Sequence, residues 1–438
     1  MHRSFAYLSS ANLIHNAKII RKLALNSKVI IAVKSNAYGH GIRSVSKILD
    51  EEFAIINLKN TKLIDGFGVS SLEEALILKS INIKSEILLM QGLLSKEDLL
   101  TGIKNNFSIV FHHFEQIKWL IELIFYDNLN IDNLQIWFKI NTGMNRLGFQ
   151  ILNQESNDTL NIDKTNNNSL FDKKNINANN LVDLLNYIDN NLMQNNNAQE
   201  AFQILERILN YAKSKKNKII VMSHFAASDN KLAESNQKQI NKFLEFTQNK
   251  DCYKSFCNSG GVINFDNMHF DYVRPGIMLY GVDPTSLNIK KNKDNKNIII
   301  KKDLAQLNLK PVLTELGSYV ISIQNVKKGE GIGYNHKYIA KKDIIVASIG
   351  IGYGDGYKFI INKGFVCINE QNFPIIGSIS MDIITIDITK TKNKISIGDK
   401  AYLINQNKLN IVYVAKTLKT HVWNLLSNIQ NRVKYIWS

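Results

Sequence analysis

Cysteine is scarce in this chain: three among 438 residues, Cys252, Cys257 and Cys367, an odd number with no CxxC pair. That excludes a disulfide framework and a cysteine-rich zinc site, and it suits a reducing cytoplasm. Long apolar runs are missing too. The stretch from Trp119 to Tyr126 carries a charge and is far shorter than the roughly 20 residues a membrane helix needs. The opening MHRSFAYLSSANLIHNAKIIRK lacks the unbroken apolar core of a signal peptide. A cytoplasmic protein with no membrane partner is expected. Acidic residues are outnumbered, 38 against 54, giving a net charge of +16, which raises nucleic acid as a partner. Against that, the lysines are scattered among Asn and Ile, as in KKNKDNKN at 290–297, with no RNP, zinc-finger or helix-turn-helix pattern. No nucleic-acid partner and no metal site are expected.

The chain is long enough for two or three domains by the usual size of roughly 100–200 residues each. Short β-branched and aromatic runs alternate with stretches of helical period such as SLEEALILKSI and QEAFQILERILNYAKSK. Eight strand candidates follow: 29–35, 66–71, 86–91, 107–113, 134–140, 219–225, 255–260 and 271–281. Eight such units close an α/β barrel of the (β/α)8, TIM-like kind, whose function sits at the C-terminal strand ends. Lys34, Lys139, His224, Asn258 with Ser259, and Arg274 all fall there. An open doubly wound sheet fits the strand count nearly as well, but polar residues spread over several strand ends favour the barrel. From about 310 onward, short strands broken by Gly and Asn read as a compact, mainly-β domain. The expected division is 1–305 for the barrel, with an Asn-rich insert at about 153–200, and 306–438 for the β domain. The insert and a Lys/Asn-rich segment at 285–303 have too little apolar content to fold alone and read as partly disordered surface loops.

The sharpest segment is VIIAVKSNAYGHG, Val29 to Gly41: an apolar strand ending in Lys34. Burial depresses a lysine pKa, and a partly neutral amine is what Schiff-base chemistry requires. The other fate of such a lysine is to snorkel to the barrel rim.

AVKSNAYGHG resembles the pyridoxal-phosphate lysine motif of alanine racemases, with Ser35 where Ala is usual. KINTGMNRLGF (139–149), SHFAASD (223–229), NSGG (258–261), VRPGIMLYGVDP (273–284), GEGIGYNHKY (329–338), IGYGDGY (351–357) and GSISMD (377–382) resemble further segments of that family in order. The likeness spans nearly the whole chain apart from the two inserts. It implies interconversion of L-alanine and D-alanine by two-base proton exchange on the cofactor's imine, supplying D-alanine for peptidoglycan. Lys34 would carry pyridoxal phosphate and act on one face. Tyr334 would act on the other, assisted by a relay through His224 and Arg274. Arg274 would face the pyridine nitrogen and, unable to give up its proton, leave the ring a modest electron sink. Tyr38, Ser259, Gly276 and Ile277 match the cofactor's phosphate contacts, and Tyr353, also on the cofactor side, would narrow the substrate entrance. Arg146 and Met381 would hold the substrate, with Asp382 bracing the turn. Lys139 matches a lysine often carbamylated in relatives, which would orient Arg146. A final phosphate contact near the C-terminus has no evident equivalent in NRVKYIW. The family's second domain implies a homodimer with sites shared between protomers.

Taken singly, these residues have structural fates as well: Tyr334 as a strand tyrosine, His224 as a satisfied core histidine, Arg274 as a loop-bonding arginine. Three other functions stay open: a different amino-acid racemase on this scaffold, a fold-related decarboxylase, or a non-catalytic pyridoxal-phosphate carrier. A decarboxylase should carry a carboxylate in place of Arg274 and a catalytic cysteine in the β domain, where only Cys367 is available, in an ordinary strand pattern. A carrier should resemble the barrel alone.

Overall fold

The structure is a computed structural model that describes residues 2–56, 59–152, 184–211, 219–288, 307–391 and 394–438. Its first layer is a closed ring of eight parallel strands: Lys28–Ala32, Gly66–Val69, Glu86–Leu89, Ser108–Phe111, Ile136–Asn141, Ile220–Met222, Tyr253–Ser255 and Tyr272–Val273. Pairing of Tyr272–Val273 with Lys28–Ala32, and of Ile220–Met222 with both Ile136–Asn141 and Tyr253–Ser255, closes the ring. The barrel expected from eight strand units is therefore the observed one.

Most residues on both faces of these strands are buried, as a parallel sheet wrapped in helices demands, with Tyr253–Ser255, whose Tyr253 is exposed, the exception. Ile30, Leu88, Val110, Trp137, Ile220, Met222 and Tyr272 fill the inside of the ring. The alternate residues, among them Val29, Ile31, Phe67, Phe111, Phe138 and Val221, pack outward against the helices. Several boundaries differ from the sequence reading, each for a local reason. The seventh candidate, 255–260, keeps only Ser255 as strand, because the Asn258 side chain caps a helix over Ser259–Asn264 by accepting from Gly261 N at 3.0 Å. The eighth ends at Val273, where Pro275 removes a donor and the chain passes into a single 3-10 turn over Ile277–Tyr280.

Part of the insert at 153–200 is built into the barrel. Ile188 and Leu192, one helical turn apart, are buried in its core, and the helix Ala198–Tyr211 follows. Residues 153–183 and 289–303 of the two inserts lie outside the described residues.

The second layer is an antiparallel system around the long strand Leu313–Val326, which pairs with Lys400–Asn405 and Ile344–Ile349. Ser4–Leu8, at the start of the chain, joins this sheet rather than the barrel. It lies antiparallel to Leu313–Val326 and parallel to Lys434–Trp437, so both chain ends lie in one sheet. Among the described residues no helix is long and apolar enough to cross a membrane.

Candidate active site

The alternation that sends Trp137, Met222 and Tyr272 into the barrel brings Lys139, His224 and Arg274, two residues further along each chain segment, to its C-terminal mouth. With Lys34, Tyr38, Arg146, Ser259 and Gly276 they line a cavity of about 780 Å³.

Lys34 does not sit in a strand. From Ser35 to Tyr38 four successive residues adopt the left-handed conformation, with φ of 52°, 53°, 54° and 50°, a state that costs roughly 1–2 kcal/mol per residue for L-amino acids. Surrounding groups hold it. Glu74 Oε1 accepts from Ser35 N at 2.7 Å, and Asn36 Oδ1 accepts from Ile42 N at 2.8 Å. His40 Nδ1 reaches the carbonyls of Ala37 (3.1 Å) and Tyr38 (2.8 Å). Burial pulls the His40 pKa down to about 4, so the ring is neutral, and it stacks on Tyr280 with centroids 4.5 Å apart. At Gly39, where φ is +75°, a Cβ would lie 1.8 Å from the Leu426 carbonyl oxygen. Gly39→Ala is therefore expected to destabilise the fold by at least about 2 kcal/mol, measurable as a lowered denaturation midpoint; an unchanged midpoint would remove this packing argument.

Burial, followed by the field of Arg146, lowers the Lys34 pKa, and Glu74 partly offsets both. Lys139, also buried, is lowered to about 7, first by burial and then by Arg274, Arg146 and Lys34. His224 is held well below its ordinary value by burial and then by Arg274, with smaller effects from Lys139, Arg146 and Lys34. Its Nε2 lies 3.3 Å from the Asn258 amide nitrogen, which donates to it. Arg274, pulled down to about 10 by burial, is still a cation at neutral pH. Its guanidinium donates to Ser255 Oγ and the Ser223 carbonyl. Among the described residues no hydrogen bond joins it to His224, contrary to the expected relay; the two communicate through charge.

The other end of the cavity gathers donors. Ser259 Oγ accepts from Gly276 N at 2.8 Å and Met278 N at 3.4 Å. A Cβ at Gly276 would lie 2.5 Å from the Tyr38 hydroxyl, so glycine is what lets the phenol approach. Burial pushes the Tyr38 pKa up to about 12 and keeps it a donor. Ile277 opens the adjacent turn.

Lys139 lies in the inward row of Ile136–Asn141, and the loop after that strand is organised by Asn141, whose Oδ1 accepts from Gly143 N and Asn145 N, both at 3.0 Å. That loop carries Arg146 to the cavity. Three expected site residues are not in this chain's cavity. Tyr334, Tyr353 and Met381 are 72%, 41% and 52% exposed on the second domain. The latter two are neighbours, since Gly354 N donates to the Met381 carbonyl at 2.9 Å. Asp382 does brace the turn, pairing with Arg3 at 2.8 Å and with Arg432. Cys367 is buried in the strand Phe365–Ile368.

Sequence reasoning missed Trp423 and Ser427, which reach the cavity from the helix Val422–Ser427. HVWNLLS carries no signal beyond an apolar helical pattern. Glu74 was also missed, reading as an ordinary acidic residue in a first helical turn.

Family models match on both layers: the alanine racemase N-terminal domain over residues 8–171 and 194–284, and the alanine racemase C-terminal domain over 313–437. The chain belongs to the alanine racemase family. A family relative, the alanine racemase of Mannheimia succiniciproducens, is 31% identical over 429 residues, 97% of this chain and 96% of its own. The structure of alanine racemase from Acinetobacter baumannii aligns over 100% of both chains with 28% identity and a TM-score of 0.72. The Bartonella henselae alanine racemase, solved with covalently bound pyridoxal phosphate, aligns over 100% of both chains at 24% identity and a TM-score of 0.74.

Proposed function

We propose that Lys34 and Tyr334 are the acid/base groups on the two faces of alanine's Cα, and that they come from different protomers of a homodimer. The chain is a pyridoxal-phosphate-dependent isomerase that interconverts L-alanine and D-alanine, and its family's general role is to supply D-alanine for peptidoglycan precursors. The observation that carries the two-protomer reading is the division of the site. Lys34, Lys139, Arg146, His224 and Arg274 converge on one cavity, while Tyr334, Tyr353 and Met381 stand exposed on the other layer. Tyr353 places its ring 5.9 Å from that of Phe359, itself exposed, so the face around it is apolar enough to be covered by a second copy. A two-fold exchange would bring each second-domain face over the partner's barrel mouth. We place this dimer in the cytoplasm, in keeping with the scarcity of cysteine.

The donor set suits the cofactor. The Ser259 and Tyr38 hydroxyls would hold its phosphate, beside Gly276, whose N–H fixes Ser259 Oγ and whose missing Cβ lets the phenol approach. Arg274 would meet its ring nitrogen, and Lys34 would hold it covalently. When bound, pyridoxal phosphate withdraws the electron pair left at Cα and so makes that proton removable. Arg274 keeps its own proton at neutral pH, so a nitrogen facing it stays unprotonated. Lys34, with its lowered pKa, takes or returns the proton on one face, and the Tyr334 hydroxyl does so on the other. Arg146 would bind the alanine carboxylate, with Met381 of the opposing chain closing over it. Holoenzyme given either enantiomer in deuterated water should yield a racemate labelled at Cα; labelled product of unchanged configuration would defeat the two-base assignment.

Lys139 sits among cations at a pKa near 7, where a large share of the amine is neutral and nucleophilic. We assign it a carbamate: the amine adds carbon dioxide, forms an N–C bond and releases one proton, which leaves an anion beside Arg146. Because the neutral amine is required, the modification should be strong at pH 8 and weak at pH 6. A carbamate carbon signal in NMR with labelled carbon dioxide should follow that trend and vanish in Lys139→Ala. A flat, signal-free spectrum across that range would rule the modification out.

A further inference from the structure

The left-handed turn after Lys34 needs an external anchor, and one side chain supplies it from the neighbouring strand-helix unit. Glu74 lies in the first turn of the helix Leu72–Ser80, where its own N–H is capped by Ser71 Oγ at 3.4 Å. One carboxylate oxygen accepts from Ser35 N at 2.7 Å and the other from Ser70 N at 2.9 Å. A single carboxylate thus ties the segment after the first barrel strand to the segment after the second. Both bonds are charge-assisted, and so stronger than ordinary amide pairs. Glu74 also stands at an electrostatically lopsided place. Arg146, from the loop after Ile136–Asn141, and Arg274 line the cavity with Lys34 as cations, and Asp229 lies on its wall; at the amine itself Arg146 disfavours the proton and Glu74 favours it.

We propose that Glu74 is a positioning residue for Lys34: it anchors the turn through the Ser35 N–H and keeps one negative charge beside the amine. This rests on Lys34 being the base and the cofactor's attachment point. The anchoring half follows from the bridge between two amides, and the charge half from Glu74 opposing Arg146 at the amine.

Two near-isosteric variants of the holoenzyme separate the halves. Glu74→Gln keeps the shape and one acceptor oxygen but removes the charge. Glu74→Asp keeps the charge but is one methylene too short to span both amides. Solvent-deuterium exchange at Cα of D-alanine, which needs neutral Lys34, gives a low-pH limb, and equilibrium dialysis gives cofactor release. In Glu74→Gln the limb should move to lower pH, because an amine without its anion loses its proton more readily. In Glu74→Asp the limb should stay near the parent's while release of pyridoxal phosphate rises roughly tenfold as the turn loosens. An unmoved limb in Glu74→Gln overturns the proposal even if release changes, since a purely structural strut would do that. Parental release in Glu74→Asp overturns it too. Borohydride trapping with peptide mapping tests the underlying reading separately: label on any lysine other than Lys34 defeats the base assignment, whatever the Glu74 variants do.

Discussion

Lys34→Ala is expected to retain less than about one part in 10³ of the parental racemisation, since it removes both the covalent attachment and one proton-transfer group. The variant should also lose visible cofactor absorbance on gel filtration. Its secondary structure should survive, because the turn is held by Glu74, Asn36, His40 and Gly39 rather than by the lysine side chain. Among the described residues that line the cavity, the lysine that could substitute is Lys139, whose pKa near 7 leaves the unmodified amine partly neutral. Borohydride-trapped cofactor on Lys139 in the variant, with substantial activity, would overthrow the assignment of Lys34. Lys139 is not expected to take over, because it lies within the barrel strand Ile136–Asn141 and Arg274 and Arg146 both crowd it.

Tyr334→Phe should slow racemisation by roughly 10²–10⁴-fold, the usual worth of a positioned acid/base group. The fall must be equal from L-alanine and from D-alanine, because the enantiomers have equal free energies and no variant can change their equilibrium. The face selectivity appears in isotope exchange instead. Lys34 should still exchange the Cα proton of D-alanine with solvent and return it on the same side, whereas exchange into L-alanine should drop with the racemisation rate. Equal loss of exchange from both enantiomers, in a folded and cofactor-loaded protein, would remove Tyr334 from its role. The same pair of variants reports on the assembly. Mixed by unfolding and refolding, inactive Lys34→Ala and inactive Tyr334→Phe should recover about a quarter of parental activity, since half the dimers are mixed and each holds one intact site. If both groups act within one chain, mixing restores nothing.

How far the site could be read from the sequence depended on how local its causes are. The eight strand units were legible because each buried strand is a short apolar run between helical stretches, and that pattern needs no knowledge of partners. The residues at the mouth were legible for the same reason: they follow the apolar runs directly. The shape of the segment after Lys34 was not. Nothing in KSNAYG announces four left-handed residues, because they are unfavourable alone and exist only where Glu74, Leu426 and Tyr280 constrain them. Asn258 and Ser259, taken as the end of a strand, proved to be a helix cap and first turn, a case of side-chain capping prevailing over β propensity. The pairing of Ser4–Leu8 with Leu313–Val326 joins residues about 300 positions apart, beyond any window of periodicity.

By itself the sequence determined the class of fold and the family, and it nominated the candidate reactive groups, because apolar period and ordered short motifs are local properties. Tertiary structure alone decided the rest: that His224 meets Asn258 instead of Arg274, that Trp423 and Ser427 enter the cavity, and that Tyr334 and Met381 stand away from it on an exposed face. Those outcomes depend on which distant segments pack together and on how burial and neighbouring charges set each proton's affinity, and neither is written in any short stretch of chain.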